Sequence, residues 1–210
     1  MTDFYALADL KIDEINKLTI GRFDAVKRQL RKKKDGIAYS PMAVNEYIGS
    51  LYRQLDMDAR REFLELAEKQ YESVATDLGV EELDEGFEDL FLENILSTPD
   101  PITKYVYDAE VFRKRDRAIE SVNATTGVTK KQAELDKAMR LWSQGVQQYV
   151  DNVAYEAAVK AFKDAGVKYV KWVAQDDDRV CAECEKRNGK IYPINRLPIR
   201  PHYRCRCYIK

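Results

Sequence analysis

The sequence predicts a mainly α-helical protein, with an elongated helical bundle or stalk and a small C-terminal zinc-stapled β-hairpin knob. Apolar residues recur with helical spacing over most of the chain, whereas the residues after position 166 are rich in β-branched and aromatic types. All four cysteines and the single histidine lie beyond residue 180. We therefore divide the chain into an N-terminal helical region (1–98), a long-helix region (99–166) and a zinc-knuckle-like β domain (167–210).

The N-terminal region predicts two long helices. Apolar residues recur at steps of three to five over 7–30, as one buried helical stripe requires, and Gly36 ends this pattern. Ser40 followed by Pro41 is a favourable N-cap and first-turn pair, so a second helix begins there. That helix is expected to end near Gly79, since glycine is the preferred residue just after a helix.

The middle of the chain predicts a short helix, a corner and a long helix. An amphipathic segment over 87–96 ends at the Ser-Thr-Pro-Asp-Pro run 97–101, which indicates a hinge or a corner. Helical spacing resumes over 105–122, and Thr129 with Gln132 forms a candidate capping box that starts the long helix. Apolar residues of that helix then follow the spacing of a packed seam: Leu135, Met139, Trp142, Val146, Tyr149 and Val153.

The C-terminal region predicts short strands that cannot form a core of their own. Strand-like segments occupy 167–173, 190–194 and 205–209. A fold of about 40 residues normally needs a metal, disulfides or a partner. Four residues are assigned to the structure of the knob, as a hydrophobic plug, as turn-capping or arginine-pairing carboxylates and as a flexible return turn: Trp172, Asp176 and Asp178, and Gly189.

Two pairs of candidate metal ligands are expected to stabilise this short C-terminal region. Cys181-x-x-Cys184 and His202-x-x-Cys205 are separated by 17 residues, and a CxxC turn places two thiolates about one tetrahedral edge apart. We predict a Zn²⁺ site formed by these four residues, with Cys207 as an alternative ligand in place of Cys205 or His202. Metal binding of this kind contributes on the order of 10 kcal/mol to folding.

Other roles for these residues stay open. The cysteines could form disulfides or a redox-active CxxC pair, although a cytoplasmic chain disfavours disulfides, or they could be unligated structural residues. A Cys–His catalytic dyad would require His202 to leave the ligand set. Four protein ligands close a zinc shell and leave no position for water, so the sequence predicts that the protein is not an enzyme.

Charge is distributed unevenly along the chain. Residues 56–93 contain fourteen acidic and three basic residues, a net charge of −11, whereas residues 179–210 contain nine basic and two acidic residues, a net charge of +7. A basic patch of this kind binds duplex DNA without sequence preference and with strong salt dependence. The candidate DNA-contacting residues are Arg179, Lys186, Arg187, Lys190, Arg196, Arg200, Arg204 and Arg206.

The C-terminal motifs resemble the signature of the Mu F-type minor head proteins of tailed phages, also called phage head morphogenesis proteins. The resemblance covers about residues 146–210. It follows, in order, Trp172, the run Asp176 to Arg179, Cys181-x-x-Cys184, Asn188-Gly189-Lys190 and Pro201-His202-Tyr203-Arg204-Cys205-Arg206-Cys207.

The resemblance implies a structural role in the phage head. Proteins of this family are bound inside the head, at or near the portal, and act in head assembly or DNA delivery, and some bind DNA. The expected partners are therefore the portal protein, the scaffold or major capsid protein, and double-stranded DNA, with the virion or the host cytoplasm as location. We expect no membrane association, because no apolar stretch is long enough to span a bilayer, and the absence of a secretory signal favours the cytoplasm. We expect no small-molecule substrate of a protein that is not an enzyme. The alternative is a zinc-ribbon DNA-binding regulatory protein.

Overall fold

A computed structural model describes residues 4–32, 40–80, 87–175 and 180–210. The predicted break at Gly36 and the site candidates Asp176, Asp178 and Arg179 lie outside these ranges. The described residues form α1 (Ala6–Lys32), α2 (Pro41–Leu78), α3 (Phe87–Ser97), α4 (Tyr107–Asn123), α5 (Val128–Asp164), β1 (Tyr169–Val173), α6 (Ala182–Arg187), β2 (Ile191–Pro193), a 3₁₀ turn (Ile194–Arg196) and β3 (Tyr208–Ile209). The protein is mainly helical, with a small antiparallel sheet at the C-terminal end.

The predicted limits of α2 are confirmed. The Ser40 hydroxyl accepts a hydrogen bond from the Ala43 amide at 3.2 Å, and Pro41 occupies the first helical turn. At the other end Gly79 adopts φ 76°, a left-handed conformation in which its amide donates to the carbonyls of the last turn. A helix of 38 residues is about 57 Å long, at about 1.5 Å per residue.

Helices α1, α2, α4 and α5 share one apolar core. The predicted seam of α5 is confirmed, since Met139 is partly buried and its other five members are no more than 5% exposed. Trp142 packs edge-on against Tyr52 of α2, with ring centroids 5.6 Å apart, and Phe63 packs against Tyr107 of α4 in the same way. In the described ranges no helix is sufficiently long and apolar to span a bilayer.

The predicted capping box of α5 is wrong. The helix begins at Val128, and its N-cap is Gly127, which has no side chain to cap the helix. Thr129 therefore lies inside the first turn, whereas a capping threonine has to precede it. Gly127 adopts φ 86°, a backbone conformation that glycine adopts without the steric cost of a Cβ atom.

The Pro-Asp-Pro segment between α3 and α4 is a fixed corner. One carboxylate oxygen of Asp100 accepts the amides of Ile102 and Thr103 at 3.0 and 2.5 Å, and the other accepts the side-chain amides of Gln148 and Asn152 on α5. Burial alone would raise the pKa of Asp100. The hydrogen bonds to the carboxylate have the larger combined effect, so the pKa of Asp100 is lowered. The buried carboxylate thus ties the corner to α5.

The C-terminal sheet has three strands in the order β2-β1-β3, all antiparallel. The central strand β1 pairs with β2 through Lys171 and Ile191, and with β3 through Trp172 and Ile209. The expected simple hairpin is therefore replaced by a sheet whose last two strands lie on opposite sides of β1. The predicted third strand is shorter than expected, because residues 205–207 form a loop and only Tyr208–Ile209 pair with β1.

The inner face of this sheet packs on α5. Val170 and Trp172 form a buried cluster with Tyr155, Val159 and Phe162 of α5. The β region therefore completes its core with side chains of the long helix, as expected for a segment too short to enclose a core alone.

The last residues of the chain also contact its first helix. The Tyr5 hydroxyl donates to the Cys207 carbonyl at 3.0 Å, and the Phe4 and Tyr208 rings stack at 5.0 Å. These contacts attach the residues just before α1 to the C-terminal end of the chain.

Candidate metal centre

The first ligand pair lies at the start of helix α6. Cys181 is the N-cap residue, and its sulfur accepts a hydrogen bond from the Cys184 amide at 3.4 Å. This turn brings the two sulfur atoms to 3.5 Å from each other. The turn at the start of α6 therefore holds the two thiols close together through protein contacts alone.

The second ligand pair meets the first at Cys184. The Cys184 sulfur lies 3.3 Å from His202 Nε2 and 3.7 Å from the Cys205 sulfur. A zinc ion bound at about 2.3 Å by tetrahedral thiolates places neighbouring sulfurs about 3.8 Å apart. The three separations measured from Cys184 are close to this value, so each of these donor pairs is spaced like neighbouring ligands of one tetrahedral ion.

Four further donors gather around the Cys184 sulfur. Cys181, Cys184 and His202 form one group that could hold a metal ion, and Cys184, Cys205 and Cys207 form another, with the ligand atoms of each group within 4.8 Å of one another. Cys184, Cys205 and Cys207 are buried, whereas Cys181 and His202 are partly exposed. The structure thus brings together all four predicted ligands together with the alternative ligand Cys207.

The histidine is oriented by its second ring nitrogen. His202 Nδ1 lies 3.0 Å from the Tyr203 carbonyl and donates to it in the tautomer that leaves Nε2 unprotonated. In that tautomer Nε2 presents its lone pair to the Cys184 side, which is the form in which imidazole binds a metal. A backbone partner of this kind is the usual second-shell contact of a metal-bound histidine.

The thiols ionise unequally. A hydrogen bond from the Cys207 thiol, together with those from other neighbours, lowers the pKa of Cys205 to about 5. Burial raises the pKa of Cys184 to about 12, and the hydrogen bond to Cys205 raises the pKa of Cys207. A single thiolate is therefore stabilised by protonated neighbours, and a divalent cation would release those protons when it binds.

Two of the predicted DNA-contacting arginines, Arg200 and Arg206, are buried instead. Arg200 donates to the carbonyls of Asp151 and Cys205 at 3.0 and 3.3 Å. Arg206 forms a two-pronged ion pair with Asp9 of α1, at 2.9 Å to each carboxylate oxygen. Both arginines were predicted to be exposed cations. In the structure their guanidinium groups instead donate hydrogen bonds to buried carbonyls and to a carboxylate. Neither arginine is therefore accessible to DNA in this structure.

Arg204 is also engaged within the protein. Its guanidinium lies 3.1 Å from a carboxylate oxygen of the fully buried Asp151 and also bonds Gln147, while its backbone amide donates to Gln148 at 2.8 Å. Burial raises the pKa of Asp151, and the nearby arginines Arg204 and Arg200 counter this effect. These contacts attach the loop that carries His202 and Cys205 to helix α5.

The remaining basic candidates differ in their exposure. Lys186, Lys190 and Arg196 are exposed. Arg187 is half-buried, lies 5.5 Å above the Trp172 ring and donates to the Ile199 carbonyl at 2.6 Å. The accessible positive charge of this region therefore comes from lysines and Arg196 more than from the arginines of the metal-binding loop.

The described residues assigned to the knob occupy structural positions. Trp172 is completely buried in the cluster beneath the sheet. Gly189 adopts φ 78° in the turn after α6, and its amide donates to the Trp172 carbonyl at 2.8 Å. This bond fixes the turn between α6 and β2 against the central strand.

No protein-family model, curated protein or solved structure matches the chain. The donor set itself is chemically informative, since thiolate and imidazole ligands in a tetrahedral arrangement suit zinc. A four-ligand shell selected from these five donors would be saturated by protein atoms. An ion held in that way fixes structure and leaves no coordination position for a substrate.

Proposed function

We propose that the protein is a zinc-stabilised, non-enzymatic minor head protein of a tailed phage, bound inside the head at or near the portal. The observation that carries this proposal is the contact of Cys184, from the first ligand pair, with His202 and Cys205, the pair that 17 residues separate from it. These residues are the ones on which the resemblance to the head morphogenesis family depends. In this proposal the ion fixes the C-terminal region and performs no chemistry.

The helical body offers surfaces suited to assembly. Met57 of α2, Leu90 of α3 and Phe112 of α4 are large apolar side chains that remain exposed on three neighbouring helices. A contiguous patch of exposed apolar side chains marks a surface that binds another protein, and in this proposal these three side chains belong to one such patch. These features support docking on a portal, scaffold or major capsid protein through the helices.

The C-terminal region supports a weak, non-specific contact with packaged duplex DNA. Lys186, Lys190 and Arg196 are exposed and can approach phosphates. Each phosphate contact of this kind releases counterions, so binding should weaken steeply as the salt concentration rises. With only these three exposed cations among the described members of the predicted DNA-contacting set, the contact is auxiliary to protein docking.

The location of the protein is tested by co-expression with portal protein and by imaging of assembled heads. We expect the protein to co-purify with the portal and to lie near the portal vertex. The variant Met57→Ser/Phe112→Ser should lose this association while retaining its helical circular dichroism and its metal. An exposed methionine elsewhere on α2, Met42, provides the control variant Met42→Ser. Absence of the protein from heads assembled in its presence would overturn the proposal.

The metal is tested separately. Native mass spectrometry of the full chain should find one zinc ion for each chain, and a variant with both Cys184 and Cys205 changed to serine should contain none. Purification without zinc at equal yield and stability would contradict the structural role of the ion.

The alternative of a zinc-ribbon DNA-binding regulator receives less support. The helix beside the metal ligands, α6, has six residues and presents Glu183 and Glu185 to solvent, and its Lys186 is paired with Glu183. A recognition helix that reads bases normally carries cationic and amide side chains on its exposed face. Sequence-specific protection of one duplex site would favour the regulator over the head protein.

A further inference from the structure

The outer face of the C-terminal sheet combines flat side chains with cations. Tyr169 and Lys171 of β1 point away from the buried core, and Tyr169 is 64% exposed. The pairing of the strands places Ile191 of β2 opposite Lys171, and Pro193 opposite Tyr169. Directly opposed residues share one face of a sheet, so these four side chains form a continuous surface. Ile191 is 68% exposed.

This outer face also holds two lysines directly opposite each other. The Lys171 amide donates to the Lys210 carbonyl at 2.7 Å, and the Lys210 amide donates back to the Lys171 carbonyl at 3.0 Å. Residues that exchange both bonds face each other across an antiparallel pair, where like charges destabilise the sheet. Among the described residues neither of these two lysines forms an ion pair within 4.0 Å.

The composition of the face indicates the class of ligand. The three strands contain no acidic residue, so no charge within the strands compensates the lysines, and the face favours an anionic partner. Tyr169, Ile191 and Pro193 offer flat or apolar surfaces between the cations. Single strands of nucleic acid present unpaired bases and phosphates together, and aromatic side chains among cations bind them through stacking and charge. A duplex hides the faces of its bases from such side chains.

We propose that this outer face binds single-stranded nucleic acid without sequence preference. Tyr169 stacks on an unpaired base, and Lys171 and Lys210 contact the adjacent phosphates. This assignment goes beyond the duplex contact proposed above and does not depend on docking to the portal. It uses different residues from Lys186 and Arg196, which lie on α6 and in the 3₁₀ turn.

The test is fluorescence anisotropy with the full, zinc-loaded chain. The probes are a labelled oligothymidine of about 12 nucleotides, a length within the range that single-strand-binding folds occupy, and a duplex of equal length. We expect the single strand to bind more tightly than the duplex. Tyr169→Ser should weaken single-strand binding by about fivefold or more, because stacking on one base is worth about 1–3 kcal/mol. Tyr169→Phe should bind like the unmodified chain.

The cations are tested through the salt dependence. Removing two phosphate contacts in Lys171→Gln/Lys210→Gln should lower the slope of log affinity against log salt by about 1.4, since each contact on a single strand contributes about 0.7. Lys130→Gln/Lys137→Gln removes two exposed lysines from α5 instead and should leave the slope unchanged. Circular dichroism and zinc content establish that each variant is folded.

Three results would overturn the assignment. The first is a duplex that binds as tightly as the single strand, which would instead support the duplex contact. The second is unchanged affinity in both Tyr169→Ser and the double lysine variant. The third is displacement of the oligonucleotide by polyglutamate as effectively as by unlabelled oligonucleotide, because that would indicate an acidic protein ligand.

Discussion

The helical body and the C-terminal region acquire their structure by different means. The body buries a continuous apolar core between α1, α2, α4 and α5. The C-terminal region has three strands of two to five residues and packs its one apolar face on α5. Its loops are fixed by the Cys/His cluster and by buried arginines. Stability is therefore distributed over many contacts in the body and concentrated in a few polar groups in the C-terminal region.

The two tryptophans of the chain report on the two regions separately. Trp142 is buried in the helical core, and Trp172 is buried beneath the sheet. A chain with Trp142→Phe leaves only the C-terminal reporter, and one with Trp172→Phe leaves only the reporter in the body. With these two variants the unfolding of each region can be followed separately by its own tryptophan fluorescence, which distinguishes local from global unfolding.

Removal of the metal should have the largest effect. If zinc supplies on the order of 10 kcal/mol to the C-terminal region, a chelator should unfold that region while most of the helical circular dichroism remains. The Trp172 emission of the Trp142→Phe variant should then shift to longer wavelength, and the Trp142 emission of the Trp172→Phe variant should stay constant. Simultaneous change of both reporters would show that the two regions unfold as one.

Truncation in the helical core should come next. Phe63→Ala removes a fully buried ring that packs on Tyr107, and we expect a loss of about 3–5 kcal/mol in the free energy of unfolding. Urea denaturation should show this loss with Trp142 as the reporter. Phe112→Ala removes an exposed ring from α4 and should change stability by less than about 0.5 kcal/mol. Equal effects of the two changes would contradict the assigned core.

Replacement of the corner carboxylate should have an intermediate effect. Asp100→Ala leaves the side-chain amides of Gln148 and Asn152 without their buried acceptor, and we expect a loss of about 2–3 kcal/mol at neutral pH. Because the folded-state pKa of Asp100 is lowered, its contribution is present above the unfolded-state pKa and is lost as pH falls through the folded-state pKa. The difference between Asp100→Asn and the unmodified chain should therefore shrink below about pH 4. A difference independent of pH would contradict the ionised, hydrogen-bonded carboxylate.

The ion pair between α1 and the C-terminal loop should have the smallest effect. Asp9 is about half exposed and Arg206 is buried, so solvent screens part of their attraction. We expect Asp9→Asn to cost about 1 kcal/mol, seen as a small decrease in melting temperature with zinc bound. Glu134→Gln, which removes a more exposed and longer ion pair with Lys137, is the control and should have less effect.

The features that could be predicted from the sequence were local ones. Apolar spacing and the Ser40 cap predicted α2, because both depend on residues a few positions apart. The two ligand pairs were predicted for the same reason, since each is set within four residues. The predicted capping box was wrong because the helix begins one residue before Thr129. Its N-cap is Gly127, which makes no side-chain hydrogen bond and therefore does not follow the capping-box pattern.

The residues that hold the ligand loop in place had no local signal. Asp151 is one of many charged residues on an amphipathic helix, and its role depends on Arg204 and Arg200 at the other end of the chain. The burial of Arg206 likewise depends on Asp9 of α1. Such pairs are determined by tertiary packing, and a single sequence does not show which distant residues meet.

The hydrogen bond from Tyr5 to Cys207 joins positions 202 residues apart. Bringing together points so distant in the chain costs conformational entropy of about 5 kcal/mol from the length-dependent part of loop closure alone. That contact is therefore expected to form late in folding, after the intervening helices have shortened the effective path. A circular permutant that links the present ends through a short glycine-serine bridge and opens the chain in an exposed turn should make this contact local and fold faster.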